Sequence, residues 1–361
     1  MPGTLPLRFT GHRFFRQRLV LATLSGRAII IEGMHVEDIQ EPGLRDYEVS
    51  FLRLLERCTH GSEVQVDHTG TRVSYRPGLL VGGFIEHACP TSRAIGYFLE
   101  FLIALAPFGK KPMHVKLTGI TNDNVDPTVD TLRAVILPQM QWFGVEDDLE
   151  LKILKRGAAP LGGGEVRFVC PILKKVSTLQ MAEVGKIKKI RGIAYAARIS
   201  PHMANRVADA ARGLLTRFLP DVYVYTDVYK GADAGLSPGY GLTLICETQT
   251  GALISAECAY QPRSYIKDLG VRAARLLLRE IQMGGAVATS SQWLVLLMMA
   301  LGPEDVSTIR LGMLSNFTMQ FLRDLRTFMN VTFKFTNTGK NGGVQASCFG
   351  TGFANISRRA A

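Results

Sequence analysis

The chain has 361 residues, 47% hydrophobic and 20% charged, enough to bury a large core and to divide into about two or three folding units. Its 42 Lys and Arg outnumber 31 Asp and Glu, and the resulting charge of +11 attracts polyanions such as nucleic acid but equally serves solubility alone. The six cysteines (Cys58, Cys89, Cys170, Cys246, Cys258, Cys348) form no CxxC or zinc-finger spacing, arginines stand where a signal peptide needs its apolar core, and no apolar run approaches the roughly 20 residues of a membrane span, so the expectation is a soluble intracellular protein with reduced thiols and no membrane partner.

Short β-branched or aromatic runs alternate with apolar stretches at helical spacing, an α/β or α+β pattern. Residues 19–31 predict a helix, a break at Ser25-Gly26 and a strand; 44–59 predict a helix with Val49, Leu52, Leu55 and Cys58 on one stripe; 62–75 predict two strands about His68-Thr69-Gly70. A second unit repeats the plan with strand 78–85, helix 92–106, strand 113–119, helix 128–143 and strands 148–155 and 165–170. The third comprises helices 266–283 and 291–301, strand 307–311, helix 315–329 and strand 331–335, so three units of one order suggest an internal repeat. Between them, roughly 181–268 predicts a small inserted α/β domain, with a helix over 201–218 placing Met203, Val207, Ala211, Leu214 and Phe218 on its stripe. The expected layout is repeats one and two over 1–180, the insert over 181–268 and repeat three over 269–361.

Arg156-Gly-Ala-Ala-Pro160-Leu-Gly162-Gly163-Gly164-Glu165-Val166 reads first as a tight strand connection and second as an anion nest to which Arg156 adds charge; no GxxxxGK[ST] occurs anywhere. Gly11-His12-Arg13-Phe14-Phe15-Arg16-Gln17-Arg18 interleaves cations and aromatics before a helix, a mixture that suits RNA, a partner protein, or a core with a solvated basic rim. Arg13, Arg16 and Arg18 beside the Arg156–Gly164 loop are a candidate site for a phosphate-sized anion. Lys186, Lys188, Lys189 and Arg191 form a second basic cluster, read as solvated charge or phosphate contacts. Arg323, Asp324 and Arg326 are expected on or near the exposed face of helix 315–329, where ion pairing is the common outcome and RNA cleavage a rare one. The seven histidines are scattered, and the acidic residues Asp123/Asp126 and Glu146/Asp147/Asp148 sit where caps and loops favour Asp, so neither a metal nor another cofactor is expected.

Several stretches together resemble one family, the RNA 3′-terminal phosphate cyclases. Arg156–Val166 is similar to its RGxxPxGGGEV segment, Gly119–Pro138 to its G-x-T…P-x-x-D…P stretch, and Cys348–Asn355 to its carboxy-terminal Gly-rich strand. The resemblance covers essentially the whole chain and implies a large domain of three βαβαββ-type repeats with a smaller domain inserted before the third. It also implies a chemistry in which a histidine takes AMP from ATP and passes it to an RNA 3′-phosphate.

Two elements of that chemistry depart from the family pattern. The nucleophilic histidine, expected in GG-x-V-D-E-H-x-x-D-Q, is matched by Gly284-Gly285-Ala286-Val287-Ala288-Thr289-Ser290, which places Ser290 at its position. The GEGGGQ loop is matched by Gly11–Arg16, with side chains at Arg13, Phe14 and Phe15 where the family has glycine. Both departures resemble the catalytically degenerate eukaryotic branch of the family. That resemblance implies a nucleolar factor in early pre-rRNA processing and 40S assembly, bound to a ribosome-assembly GTPase and the U3-containing small-subunit processome; an endonuclease on the same scaffold is the alternative.

Overall fold

The computed structural model describes residues 5–146, 148–260, 265–337 and 343–355. Three four-stranded sheets share one topology. The first runs Leu7–Thr10, Ile29–Glu32, Arg72–Arg76, Glu63–Val66; the second Gly83–Ala88, Met113–Gly119, Gly164–Cys170, Glu150–Lys155; the third Gln180–Met181, Val306–Leu311, Val344–Phe349, Phe333–Asn337. In each the first pair is parallel and the remaining pairs antiparallel. Each sheet receives two helices, giving βαβαββ three times: Phe15–Ser25 and Asp46–Cys58; Ile95–Leu105 and the helical run over 129–141; Gln292–Ala300 and Asn316–Met329.

Local chemistry accounts for these elements. Helix Phe15–Ser25 stops where Gly26 turns left-handed at φ 69°, a conformation free of Cβ strain only for glycine. Helix Asp46–Cys58 begins with the Glu48 carboxylate accepting the Arg45 backbone N–H at 2.8 Å. Strand Met113–Gly119 alternates buried and half-buried positions along its length, as a sheet covered on one face requires. The helices of all three repeats meet in one core, where Phe51 packs edge-on against Phe101 (4.9 Å), Phe101 stacks on Trp293 (5.8 Å) and Trp293 meets Phe321 (5.6 Å). All six cysteines are buried free thiols, and no helix among the described residues is long and apolar enough to cross a membrane.

The inserted unit is a fourth sheet, ordered Val222–Tyr229, Ile187–Ala197, Gly239–Thr248, Leu253–Ala259, with helices Pro201–Leu215 and Ile266–Met283 against one face and a core of its own. Here the structure departs from the sequence reading. The sequence groups helix Ile266–Met283 with the third repeat, yet Leu269, Ala273, Ala274 and Leu277 pack in the core of the inserted unit, so a border at 268/269 falls within this helix. The first strand of the third sheet, Gln180–Met181, instead precedes the insert. Helix Pro201–Leu215 buries Ala204, Val207, Ala208, Ala211 and Leu215, leaving Phe218 about half exposed beyond its end. The expected strand 78–85 is broken at Gly82 and Gly83, both at positive φ: Leu79–Leu80 pairs with Thr59–His60, and Gly83–Ala88 joins the second sheet.

The two cores are tied by a buried ion pair. Arg156, fully buried, donates to both oxygens of Asp130 at 2.7 Å, to Asn122 Oδ1 at 3.1 Å and, from the insert, to Asp227 at 2.9 Å. The guanidinium holds the Asp130 carboxyl below the usual carboxylate range against the opposing cost of burial. Arg156→Met leaves Asp130 only the more exposed Arg133, 3.3 Å away, as a counter-charge, and urea unfolding at neutral pH should show a loss of about 3–5 kcal/mol, partly regained in R156M/D130L. A loss under about 1 kcal/mol would show that the pair does not anchor the fold.

Candidate functional site

Ser290 opens onto a cleft of about 630 Å³ between the insert and the repeats. Gly284 ends helix Ile266–Met283 at φ 68°, the following segment 285–288 is buried, and a short 3-10 turn, Thr289–Ser291, presents Ser290 to solvent. Ser255, Glu257, Arg279 and Glu280 line the insert side, while Thr131, Thr289, Ser290, Met313, Ser315 and Phe317 line the other. The described lining contains no imidazole, thiol or amine. Glu280 accepts from the Thr289 backbone N–H (2.9 Å) and hydroxyl (3.0 Å), so that carboxylate braces the turn beside Ser290.

Glu257 is the other carboxylate of the cleft. It accepts from the backbone N–H and hydroxyl of Thr128 and from the hydroxyl of Thr131, thereby reaching from the insert's edge strand to the start of the helical run over 129–141. Burial pushes its pKa up to about 7, only partly offset by those hydrogen bonds. Nothing in the sequence around Ala-Glu257-Cys marked this residue, because its partners lie about 130 positions away.

The basic amino-terminal motif turns inward. Arg16 donates to the Tyr97 carbonyl (2.6 Å), sits 3.4 Å from Glu100 and lies 3.9 Å above the Tyr97 ring. Glu100 also accepts from Trp293 Nε1 at 2.6 Å. Arg18 is buried, paired with Asp324 at 3.2 Å and 4.4 Å over Phe9. Of the three arginines proposed to cradle an anion, Arg13 alone is exposed. Phe14 adopts a left-handed φ of 63° and packs 5.2 Å from Phe317, a wall of the cleft, while His12 stacks on His35 at 4.0 Å. A non-glycine residue at such a φ is strained, and its ring contact offsets that cost.

The remaining candidates fare differently. Arg156 is not an anion ligand, since Asp130 and Asp227 neutralise it in the interior. A Cβ on Gly163 would lie 2.8 Å from Leu236 Cγ, and one on Gly164 2.6 Å from Gly157 N, while Gly162 accepts from Leu236 N–H: these glycines close a tight connection against the insert. The anion site built from Arg13, Arg16, Arg18 and Arg156 is therefore not assembled. Arg323 and Arg326 are exposed, but Asp324 is 2% exposed and faces Arg18 and Gln320, so the three do not share a surface and the proposed nuclease set is absent. Lys188 and Lys189 pair with Glu247, Arg191 with Asp221, and Lys186 is exposed. Asp126 binds Arg93 and Asp123 caps the turn that follows it, whereas Asp147 lies outside the described residues.

Glu257 makes stability across the cleft depend on pH. Because its folded pKa lies above its ordinary value of 4.5, its contribution is full below about pH 4.5 and is lost as pH rises through about 7. Glu257→Gln should match wild type near pH 5 and exceed it at pH 8 by on the order of 3 kcal/mol in urea melts. A constant difference at both pH values would remove Glu257 as the titrating group.

Comparison with known proteins agrees with this architecture. The profile of the family described as RNA 3'-terminal phosphate cyclase matches residues 7–335. The RNA 3'-terminal phosphate cyclase-like protein of Mus musculus is 49% identical over 364 residues, spanning 98% of this chain and 97% of its own. The probable cyclase-like protein of Dictyostelium discoideum is 48% identical over 98% and 99% of the two chains. The rRNA processing protein rcl1 of Schizosaccharomyces pombe is 45% identical over 98% of each. The three repeated sheets, the insert between the first and second strands of the third, and these matches along nearly the full length make this chain a member of the RNA 3'-terminal phosphate cyclase family.

Proposed function

We propose that this chain is a non-cyclase member of its family that acts in rRNA processing. In this reading it is a nucleolar factor of early 40S assembly, working within the U3-containing small-subunit processome and held there by a ribosome-assembly GTPase. The observation that carries the loss of cyclisation is Ser290, at the position where the family resemblance expects the nucleophilic histidine, in a cleft whose described lining offers no imidazole. A serine hydroxyl is a weak nucleophile at neutral pH unless a base activates it, and Glu280, the helix carboxylate beside the turn, is engaged by Thr289. Phe14 against Phe317 adds a second obstacle, because bulk stands where glycines would leave room for phosphates. Processing of rRNA is supported by the name of the fission-yeast relative, a cyclase-free role by the "cyclase-like" names of the others, and RNA contact by the charge of +11.

Incubation with α-labelled ATP and a divalent cation should leave no denaturation-stable protein–AMP adduct, with wild type or with Ser290→His, since the histidine alone does not reopen the Phe14 loop. A labelled adduct on the wild-type chain would overturn the non-cyclase reading. Affinity purification of the full chain should recover a GTPase together with U3-containing pre-rRNA particles; recovery of repaired or spliced RNA ends without such particles would overturn the assembly reading.

A further inference from the structure

The sheet of the inserted unit has two faces. Ile190, Ala194, Val222 and Val224 point to one, where the two helices cover them. The alternating residues form the other, which divides along its length. At one end Tyr195, Asp227 and Tyr229 receive Arg156, whose guanidinium lies 4.7 Å and 5.3 Å from the two rings. At the other end Tyr223 and Tyr225 remain 51% and 54% exposed.

These two tyrosines have an ordered setting. Strand Val222–Tyr229 is the sheet's edge, and Tyr223 registers opposite Arg191, Tyr225 opposite Ile193. The rings meet edge to face, 4.5 Å between centroids and 70° between planes, so each keeps a face free. Asp221 holds the Arg191 guanidinium with both oxygens, at 2.7 and 3.2 Å, beside Tyr223. Lys186, Lys188 and Lys189 lie at the start of the strand that carries Arg191, and these four cations face two local carboxylates, Asp221 and Glu247. A core function is excluded by the exposure, and a surface ion-pair cluster accounts for the charges but not for two neighbouring aromatics with free faces.

We propose that the open half of this face is a stacking platform for single-stranded RNA, with Tyr223 and Tyr225 each taking one base and Lys186, Lys188 and Lys189 meeting the phosphates. The proposal rests on the rRNA-processing reading and supplies its RNA site. With their planes 70° apart, the two rings would seat bases tilted to one another, which an unpaired strand can supply and the parallel stack of a duplex cannot. Stacking on aromatic faces is tolerant of sequence, and the excess of cations over carboxylates favours a polyanion over an acidic or neutral protein face.

Fluorescence anisotropy with labelled oligouridine, oligoadenosine and an RNA duplex tests this on the full chain. Wild type should prefer the single strands. Tyr223→Ala with Tyr225→Ala should weaken their binding at least about tenfold, Tyr223→Phe with Tyr225→Phe should retain it, and alanine at the three lysines should flatten the salt dependence. Melting curves check that the variants fold. Should the alanine pair melt early, photocrosslinking of wild type to thiouridine-containing RNA decides instead, with label on the peptide spanning 222–229 in support and label only elsewhere against. If wild type binds RNA and the alanine pair binds equally well, the platform is wrong while the RNA reading stands; the same result with loss of a co-purifying protein assigns the face to that protein. If wild type binds no RNA at low salt, both fall.

Discussion

The molecule depends on a charge taken wholly out of water. Arg156 sits at the end of a strand of the second repeat, and its guanidinium is shared between Asp130 of the same repeat and Asp227 of the insert. Removing such groups from solvent is costly, and only a bidentate pair with further hydrogen bonds compensates. The compensation is geometric: Asn122 adds an acceptor, and Tyr195 and Tyr229 place aromatic faces beside the cation. Because one partner comes from each unit, the arrangement sets the insert's orientation on the repeats. The glycines at 162–164 serve the same junction by letting backbone approach Leu236 and Gly157 where a Cβ would collide.

That orientation creates the cleft. With the insert docked, Glu257 reaches Thr128 and Thr131, and helix Ile266–Met283 brings Arg279 and Glu280 beside the turn at Ser290. The same docking divides the insert's outer face into a half that receives Arg156 and a half that leaves Tyr223 and Tyr225 in solvent.

The amino-terminal loop shows how a basic motif can serve as structure. Arg16 joins Glu100, which also accepts from Trp293, and Arg18 joins Asp324, so two arginines of a basic motif connect helix Phe15–Ser25 to the second and third repeats. Phe14 then packs on Phe317 at the edge of the cleft. Arg16 and Arg18 of the expected anion cradle are internal ties, each matched by a carboxylate from a distant helix, while Arg13 stays exposed.

Periodicity and turn chemistry located most elements because those signals are local. Strand Met113–Gly119 and helix Ile266–Met283 agree with their expected ranges to the residue, and Gly26 marks its helix end through a conformation that only its own backbone determines. The recurrent order of strands and helices was legible for the same reason. What was not legible is which way a polar residue faces and what meets it. Asp324 reads as surface from its place between two arginines, yet Arg18, about 300 positions earlier, draws it inward. Helix Ile266–Met283 has one apolar stripe that fits either core, and only the docked sheet selects the insert's. The sequence by itself determined the repeated elements; the pairing of buried charges, the assignment of that helix and the exposure of the tyrosine pair were decided by tertiary structure, because each depends on partners brought together from distant parts of the chain.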